Sequence, residues 1–274
     1  MNRLRTIAAV TRKDLTQFTR YPSIFLQLLI WPLIFPLVYI LSAYALAGKN
    51  NVSMGAYKSI TGTNNYMGFI VIGTMIYMWV NVTMWSFGTY LREEQTRGTL
   101  ESNWLCPIKR FDMLIGGAVI GIIQGFAMAV VSMVEYRFVY NIHFTGNVLI
   151  WLLTFIIVVP GVYGIGSIFA SLVLWVKETN SMVQLVRGMV MIFCGVSFPI
   201  SVMPSWMQEI SKVFPFTYGI LAGRTLMING GSLIQALPDI AMCLGEGIIY
   251  LIIGRLCFAA VERKVKLMGS LERF

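Results

Sequence analysis

The sequence predicts an all-α membrane protein with six transmembrane helices, an N-terminal amphipathic interfacial helix and a re-entrant helical hairpin between spans five and six. Three observations carry this prediction. Of the 274 residues, 57% are hydrophobic and only 12% are charged, and the mean hydropathy is +0.73, as expected for a chain whose main solvent is lipid. Apolar runs of roughly 20 residues recur, which is the length that crosses a hydrocarbon core. Short polar segments separate these runs, so one polytopic domain is expected.

Residues 1–20 are expected to form an amphipathic helix that lies on the cytoplasmic surface of the membrane. Apolar residues recur there at helical three- and four-residue spacing, and the basic residues lie off that stripe. An ordinary basic flank of the first span is the alternative. The residues of the stripe are Leu4, Ile7, Ala8, Thr11, Leu15 and Phe18.

Residues 21–274 form one predicted transmembrane domain. The first span follows basic residues as a signal peptide would, but its uncharged run exceeds the roughly 7–15 residues of a signal core, so we expect it to be retained. Pro32 and Pro36 should kink it. The six predicted spans are residues 22–46, 66–90, 111–134, 148–176, 181–198 and 237–260.

The segment between the fifth and sixth spans, residues 199–218, is predicted to be re-entrant. Pro199, Pro204 and Pro215 break an aromatic-rich run that is too short to cross the membrane again. Irregular backbone at membrane depth survives only where protein or a water-filled cavity satisfies its polar groups. We therefore expect two short helices, joined between Pro204 and Pro215.

The distribution of lysine and arginine predicts the orientation. With six spans, fourteen of these residues fall on the side of both termini and five on the other side. Because positive residues concentrate on the cytoplasmic side, both termini and the link between spans two and three should be cytoplasmic. The re-entrant segment should therefore face the outside of the cell inner (plasma) membrane.

The chain carries no motif for hydrolysing ATP or peptides, since GxxxxGK[ST], HExxH and GxSxG are absent. It is therefore not expected to be an enzyme by itself, and any energy for transport must come from a partner or a gradient. Four scattered cysteines and the single histidine, His143, predict no metal site. The net charge of +9 comes from basic clusters beside apolar runs, which indicates contact with membrane lipids and no nucleic-acid binding.

A polar stretch, residues 92–107, separates spans two and three and carries too much charge to lie in lipid. Residues 93–97 favour a short helix, Gly98 permits a turn and Pro107 ends the element. A short helix between two spans can act as a lever at a polar interface. The alternative is a solvated loop whose basic residues only set the topology.

Charged and aromatic residues inside the spans are candidates for a transport pathway. Glu246 lies in the sixth span, where a charge costs about 3 kcal/mol at the membrane centre and is a functional candidate by default. A buried hydrogen bond that fixes helix packing remains an equal alternative for Glu246. Trp31 and Tyr39 are candidates for a pathway or packing role, and Arg187 and Arg255 are expected to snorkel to the cytoplasmic boundary.

Two groups of motifs resemble segments of ABC-2 type permeases. Residues 94–101, Glu-Gln-Thr-Arg-Gly-Thr-Leu-Glu, with Pro107, resemble the segment after the second span of that family. The N-terminal helix and the six-span layout are also similar, so the resemblance covers nearly the whole chain. A second group of residues resembles the region between spans five and six of that family. It consists of Phe-Pro-Ile-Ser at 198–201, Met-Pro-Ser-Trp at 203–206, Pro-Phe-Thr-Tyr at 215–218 and Arg224.

The resemblance implies half of a type V ABC exporter. Two six-span copies, identical or related, would form the pathway, and two separate P-loop ATP-binding subunits would dock below them and bind ATP and Mg²⁺. This chain would bind no cofactor. The resemblance implies a coupling helix over residues 92–104, with the ATPase-coupling residues Glu93, Glu94, Arg97, Gly98, Thr99, Leu100 and Glu101. It implies an outer gate formed by Phe198, Pro199, Pro204, Trp206, Pro215 and Phe216.

The expected function is that of the membrane-spanning permease subunit of an ATP-driven exporter. The pathway candidates are aromatic and Met-rich with few charges, which predicts an amphipathic cargo such as a drug, a lipid-linked glycan or a small natural product. The alternative is a gradient-driven secondary transporter or channel that uses Glu246 as a proton or ion site.

Overall fold

The computed structural model describes residues 3–21, 23–47, 66–106, 109–142, 148–176, 179–228 and 230–268. Within these ranges every regular element is a helix. In chain order the helices are α1 (Arg3–Arg20), α2 (Ser23–Ala47), α3 (Tyr66–Thr96), α4 (Leu100–Leu105), α5 (Arg110–Val139), α6 (Val148–Val176), α7 (Thr179–Phe193), α8 (Ser205–Ser211), α9 (Pro215–Met227) and α10 (Leu233–Met268), with a 3₁₀ turn at Ile200–Val202.

In the described chain, α2, α3, α5, α6 and α10 are long and apolar enough to cross a membrane. The prediction of an all-α membrane protein is confirmed at this level. The helix at the predicted fifth span, α7, is shorter, with an apolar part at Val183–Phe193. Its 15 residues rise about 22 Å, whereas the hydrocarbon core is about 30 Å thick.

The predicted fifth span, residues 181–198, is wrong at its C-terminal end. The helix stops at Phe193, and Gly195 has a left-handed φ of +66°. A Cβ at Gly195 would lie 2.8 Å from Cγ1 of Ile200, so the following 3₁₀ turn folds back onto this break. The residue before Pro199 is also restrained to extended backbone. The apolar character of residues 194–198 therefore does not extend the helix.

The second span is longer than predicted. Its helix α3 continues to Thr96 instead of ending at residue 90. Residues 92–96 are therefore the last turn of α3, and the prediction of one separate helix over 92–104 is wrong in this part. Only Leu100–Leu105 form a distinct short helix after the turn.

Helix α3 lies between α5 and α6 and forms much of the core. The ring of Trp79 packs edge-on to Phe155 of α6, with centroids 5.2 Å apart. On the other side, a Cβ at Gly125 of α5 would lie only 2.0 Å from Cδ1 of Trp79. Large aromatic groups on α3 thus fill the space that a small residue on the neighbouring helix leaves open, a common arrangement in membrane helix packing.

Helices α6 and α10 run in the same direction and pack through glycines. A Cβ at Gly164 would lie 2.5 Å from the backbone nitrogen of Leu251, and one at Gly254 would lie 1.9 Å from Oγ of Ser167. Gly247 faces the backbone of Gly161 in the same way. These contacts bring the two backbones close together, as small residues do in membrane bundles.

Helix α1 lies across the start of α5. The Thr11 hydroxyl donates a hydrogen bond to the carbonyl oxygen of Gly116 at 3.0 Å, and the Arg3 guanidinium lies 3.6 Å from the buried carboxylate of Asp112. A Cβ at Gly116 would lie 2.7 Å from Cβ of Val10. Of the helix predicted over residues 1–20, the described part, Arg3–Arg20, is helical, and its position on a membrane surface stays a prediction.

Candidate functional site

A buried carboxylate, that of Glu94, organises the site at the end of α3. Only 1% of Glu94 is exposed. Its Oε1 pairs with the ammonium group of Lys13 on α1. Its Oε2 accepts hydrogen bonds from Oγ1 of Thr99 at 2.8 Å and from Nδ2 of Asn103 at 2.7 Å. A buried carboxylate stays charged only when it is paired and hydrogen-bonded in this way. One side chain therefore joins α1, α3 and α4, and we call this group the Glu94 network.

Arg97 adds a more exposed layer to the Glu94 network. Its Nη1 donates to Oε1 of Gln17 on α1 at 3.0 Å and lies 3.8 Å from Oε1 of Glu94. Its Nη2 lies 3.0 Å from Oε2 of Glu93, whose side chain is half exposed and also accepts a hydrogen bond from Thr89 at 3.1 Å. Exposed ion pairs contribute at most about 1 kcal/mol, so the buried Glu94 contacts stabilise this end more than Arg97 does.

The turn between α3 and α4 depends on Gly98. This residue has a φ of +68°, in the left-handed region where glycine commonly ends a helix. The backbone N–H groups of Arg97 and Thr99 donate to the carbonyl oxygens of Glu93 and Glu94, each at 3.0 Å, and so satisfy the last carbonyls of α3. A Cβ at Gly98 would meet no atom within 4 Å. The constraint at Gly98 is therefore conformational and not steric crowding by neighbours.

Asp14 extends the network on α1. Its Oδ1 lies 3.3 Å from Nζ of Lys13. Burial raises the pKa of the Asp14 carboxyl above its usual value, while the Lys13 ammonium acts in the opposite direction. Lys13 therefore lies between two carboxylates, one on its own helix and one at the end of α3.

The structure brings together most of the predicted coupling residues. Glu93, Glu94, Arg97 and Thr99 contact one another, and Gly98 forms the turn between them. Leu100 and Glu101 belong to α4 by their backbone, and their side chains lie outside the described part of the chain, as does Pro107.

A cavity of about 620 Å³ opens beside the Glu94 network. Helices α1, α2, α3 and α5 line it, together with Arg187 of α7. Its walls are unusually mixed for a membrane interior, with several aromatic rings and several amide, hydroxyl and charged groups. The polar lining residues are Asp14, Gln17, Gln27, Asn81, Ser86, Thr89, Glu93, Arg97, Gln124 and Arg187, and the aromatic ones are Phe18, Tyr21, Trp31, Phe35, Trp85 and Tyr90.

The network and the cavity share side chains. Asp14, Gln17, Glu93 and Arg97 all line the cavity and all contact the Glu94 network. Any displacement of α4 that rearranges these contacts must therefore change the wall of the cavity as well.

The three predicted pathway residues lie in different places. Trp31 lines the cavity and is 53% exposed. The hydroxyl of Tyr39 lies 3.3 Å from the sulfur of Met191 on α7, and the ring of Tyr39 packs edge-on to Phe35, with centroids 5.4 Å apart. Glu246 does not line the cavity, and its Oε2 is buried without a hydrogen-bond partner in the described chain.

The predicted gate residues do not form a single cluster. Phe198, Pro204 and Trp206 are exposed, and Pro199 is half buried. In contrast, Pro215 and Phe216 are buried where α9 begins. A Cβ at Gly161, midway along α6, would lie 2.7 Å from Cγ of Pro215.

A buried arginine, Arg224, fixes the other end of α9. Its Nη2 donates to the carbonyl oxygen of Val196 at 2.8 Å and its Nε to that of Phe69 at 3.3 Å. The guanidinium carbon lies 3.4 Å from the centroid of the Phe69 ring, which adds a cation–π contact. Arg224 therefore joins α9, the start of α3 and the break after α7.

Sequence reasoning missed several of these residues. Lys13 was visible only as one basic residue among several on α1, and nothing in its spacing names Glu94 as its partner. Asn103 gave no signal, because a single amide in a polar stretch is common. The amides Asn81 and Gln124 did give a signal, since polar residues inside spans usually face the bundle interior or a cavity.

In the described ranges, no three His, Cys, Asp or Glu side chains come together so that they could hold a metal ion. The site is instead a charged network joined to an amphipathic cavity.

Comparison with known protein families identifies the family to which the chain belongs. A family described as ABC-2 family transporter protein matches residues 49–256, a range that includes the turn between α3 and α4 and the helices α7 to α9. Comparison with individual curated proteins finds no match. Because the family match covers most of its length, the chain belongs to the ABC-2 family of transporter proteins.

Proposed function

We propose that this ABC permease is the membrane subunit of an ATP-driven exporter for an amphipathic substrate. The observation that carries the proposal is the sharing of side chains between the Glu94 network and the 620 Å³ cavity. Permeases of this family typically work with an ATP-binding subunit. A partner that moves α4 would thus act, through Glu94 and its contacts with Lys13 and Arg97, on the wall of a site large enough for a drug-sized molecule.

In the proposed mechanism, closure of two ATP-binding subunits displaces α4. The displacement strains the bonds from Thr99 and Asn103 to Glu94, because α4 is tied to α3 through that carboxylate. Lys13 passes the movement to α1, which lies across α5. The cavity between these helices then loses its shape, and the bound molecule moves toward the far side.

We further propose six crossings, with α8 and α9 forming a re-entrant element. Helices α6 and α10 run in the same direction, since Gly164 and Ser167 of α6 lie beside Leu251 and Gly254 of α10. The chain leaving α6 must therefore return across the membrane before α10 begins, and α7 with the following segment is the available connection. The contact of Pro215 with mid-helix Gly161, and of Arg224 with the start of α3, supports a helix α9 that rises from the membrane interior.

The proposed setting is the cell inner membrane, with both termini cytoplasmic. The distribution of basic residues supports this orientation. A second copy or a related permease would complete the pathway, two ATP-binding subunits would bind ATP and Mg²⁺, and the cargo would be a drug, a lipid-linked glycan or a small natural product.

The proposal is tested with the permease reconstituted in inside-out vesicles together with the ATP-binding subunit that copurifies with it. The probes are fluorescent amphiphiles with cationic, neutral and anionic head groups. We expect ATP- and Mg²⁺-dependent accumulation of at least one probe, and Glu94→Gln should lower it about tenfold. Glu209→Gln is the matched control, because Glu209 is an exposed acid that pairs with Lys212 far from the network.

An ionophore arm separates the exporter from the gradient-driven alternative. ATP-driven uptake should persist when the proton gradient is dissipated. Uptake that needs no ATP-binding subunit, or that stops with the gradient and in Glu246→Gln, would replace this proposal with a secondary transporter. The position of Glu246 away from the cavity lining favours the exporter.

A further inference from the structure

Arg187 is a cation in the cavity wall that lacks a charged partner. Its Nε is buried without a hydrogen-bond partner, and no described carboxylate oxygen lies within 4.0 Å of its guanidinium. The guanidinium carbon lies 6.0 Å from the centroid of the Trp85 ring. A charge inside a membrane span is costly and usually marks a functional site.

The Arg187 guanidinium lies beside Trp85 in the cavity wall. Trp85 precedes Glu94 on α3 by a distance of about 13 Å at 1.5 Å per residue. The side chain therefore does not reach the charged end of the helices, where snorkelling would have placed it. Arg255 on α10 provides a contrast, since it is exposed, lies 5.9 Å from the Phe111 ring and does not line the cavity.

The other charged groups of the lining are already paired. Asp14 lies 3.3 Å from Lys13, and Glu93 lies 3.0 Å from Arg97. Arg187 is thus the lining charge that has no oppositely charged group within 4.0 Å in the described chain, since its neighbour Tyr77 is a neutral hydroxyl group. This local positive charge can bind a negative group.

Two amides lie at the same depth as Arg187. Asn81 precedes Trp85 by one helical turn, so both face the same side of α3. Gln124 of α5 lies between Gly121, whose Cβ would lie 2.7 Å from Ser86, and Gly125, which faces Trp79. Both amides line the cavity, and the structure gives their side chains no hydrogen bond within the described chain. They can serve additional oxygen atoms of a head group.

Apolar side chains form another part of the lining. They include Leu28, Trp31 and Phe35 of α2 and Met78 and Val82 of α3. A volume of about 620 Å³ falls within the range of small-molecule sites. The cavity therefore combines polar groups with apolar and aromatic surface suited to a hydrocarbon or aromatic body.

We propose that the cavity binds an amphiphile with an anionic head group, a phosphate or a carboxylate, and that Arg187 determines this charge preference. A guanidinium recognises either group with charge-assisted hydrogen bonds. The identification of this amphiphile as cargo rests on the proposed exporter function, whereas the binding site itself does not. Either a transported molecule or a membrane phospholipid could supply the anionic group.

The test uses two diazirine-bearing photoprobes with the same alkyl chain, one with a phosphate head and one with a trimethylammonium head. The permease is held in phosphatidylcholine nanodiscs without nucleotide, and labelled cavity peptides are quantified by mass spectrometry. We expect the phosphate probe to label cavity peptides of α2, α3 and α5. In Arg187→Gln this labelling should fall about tenfold, as expected for loss of a charged hydrogen bond, while labelling by the ammonium probe stays constant.

Two variants control the experiment. Arg187→Lys keeps the charge and should retain most of the phosphate labelling even if the glutamine variant folds poorly. Arg255→Gln removes another intramembrane arginine outside the cavity and should match the unmodified protein. Equal labelling by both probes, or phosphate labelling that Arg187→Gln leaves unchanged while Arg187→Lys also has no effect, would overturn the proposal.

A further arm separates the two sources of the anion. Nanodiscs that contain phosphatidylglycerol should suppress labelling if a membrane phospholipid is the occupant and leave it intact if the site prefers a distinct amphiphile. Because no nucleotide is present, charge-selective labelling without ATP-driven transport would uphold the binding site and reject only the exporter function. ATP-driven transport without charge-selective labelling would uphold the exporter function and reject only the anion-selective binding site.

Discussion

The two ends of α3 are fixed by different kinds of contact. At its start, Arg224 is 4% exposed and donates to backbone carbonyls of Phe69 and Val196, and a Cβ at Gly73 would lie 2.0 Å from the Val196 oxygen. At its end, Glu94 is bound by side chains from α1 and α4. In contrast to Gly73, a Cβ at Gly98 would meet no atom within 4 Å.

This difference indicates which end can move. Backbone carbonyls have fixed positions, and the packing at Gly73 leaves no room for an alternative arrangement. Ion pairs and side-chain hydrogen bonds can break and form again with other partners at small net cost, because water or a docked protein can replace them. We therefore propose that the Arg224 end is an anchor and that the Glu94 end is the movable input.

The largest effect is expected at the anchor, from Gly73→Ala. The added methyl group would clash with the Val196 carbonyl and with Nη2 of Arg224 at 2.6 Å, which should destabilise the fold by about 3 kcal/mol or more. Thermal unfolding of the purified permease measures this loss. Gly245→Ala is the control, because a Cβ there meets no atom within 4 Å, and it should be neutral or slightly stabilising. Equal melting temperatures for both variants would contradict the role of the Arg224 end of α3 as an anchor.

The second-largest effect is expected from Glu94→Gln, at the movable end of α3. The neutral amide cannot form the ion pair with Lys13, and the free energy of unfolding should fall by about 1–3 kcal/mol. The permease should remain folded, while transport per ATP hydrolysed falls by about tenfold. Glu209→Gln is the control, because Glu209 is 70% exposed, pairs with Lys212 and does not line the cavity, so its loss should leave transport unchanged. A Glu94→Gln variant that transports normally would show that Glu94 does not couple α4 to transport.

The effect of a substitution at Gly98 on transport should depend on how readily the new residue adopts left-handed backbone, and not on the size of its side chain. The left-handed φ of +68° costs a residue with a Cβ about 1–2 kcal/mol, less for asparagine. Transport per ATP should therefore fall in the order glycine, asparagine, alanine, valine. The same ratio, measured in reconstituted vesicles, checks this order. An alanine variant that performs better than the asparagine variant would show that the turn conformation is not what matters.

The smallest effect is expected from Arg97→Gln. Its ion pairs are exposed, so the stability change should stay below about 1 kcal/mol and shrink further in high salt. Melting temperatures at low and high ionic strength measure it. A loss as large as that of Glu94→Gln, persistent in high salt, would mean that Arg97 and not Glu94 stabilises this end.

The sequence predicts the helices better than it predicts their ends. Long apolar runs identify α2, α3, α5, α6 and α10, since helix is the simplest way to satisfy backbone groups in lipid. Hydropathy does not identify the break at Gly195 or the continuation of α3 to Thr96. These boundaries depend on backbone conformation and on tertiary partners such as Lys13.

The site is partly visible in the sequence. The polar stretch between spans two and three contains Glu93, Glu94 and Arg97, so its interruption of an apolar pattern was a direct signal. The partner of Glu94 on α1 was not visible, because that contact joins residues far apart in the chain. The cavity was also hidden, since whether Asn81, Gln124 and Arg187 face one space depends on how three helices are rotated.

A double-mutant cycle tests the central claim that Glu94 and Lys13 relay movement from α4 to the cavity. Transport per ATP hydrolysed is measured for Lys13→Met, Glu94→Gln and the double variant, each reconstituted with the copurifying ATP-binding subunit. If the two residues act through their mutual contact, the double variant should lose no more than Glu94→Gln alone. Losses that simply add in free energy would contradict the relay, because they would mean that the two residues act independently.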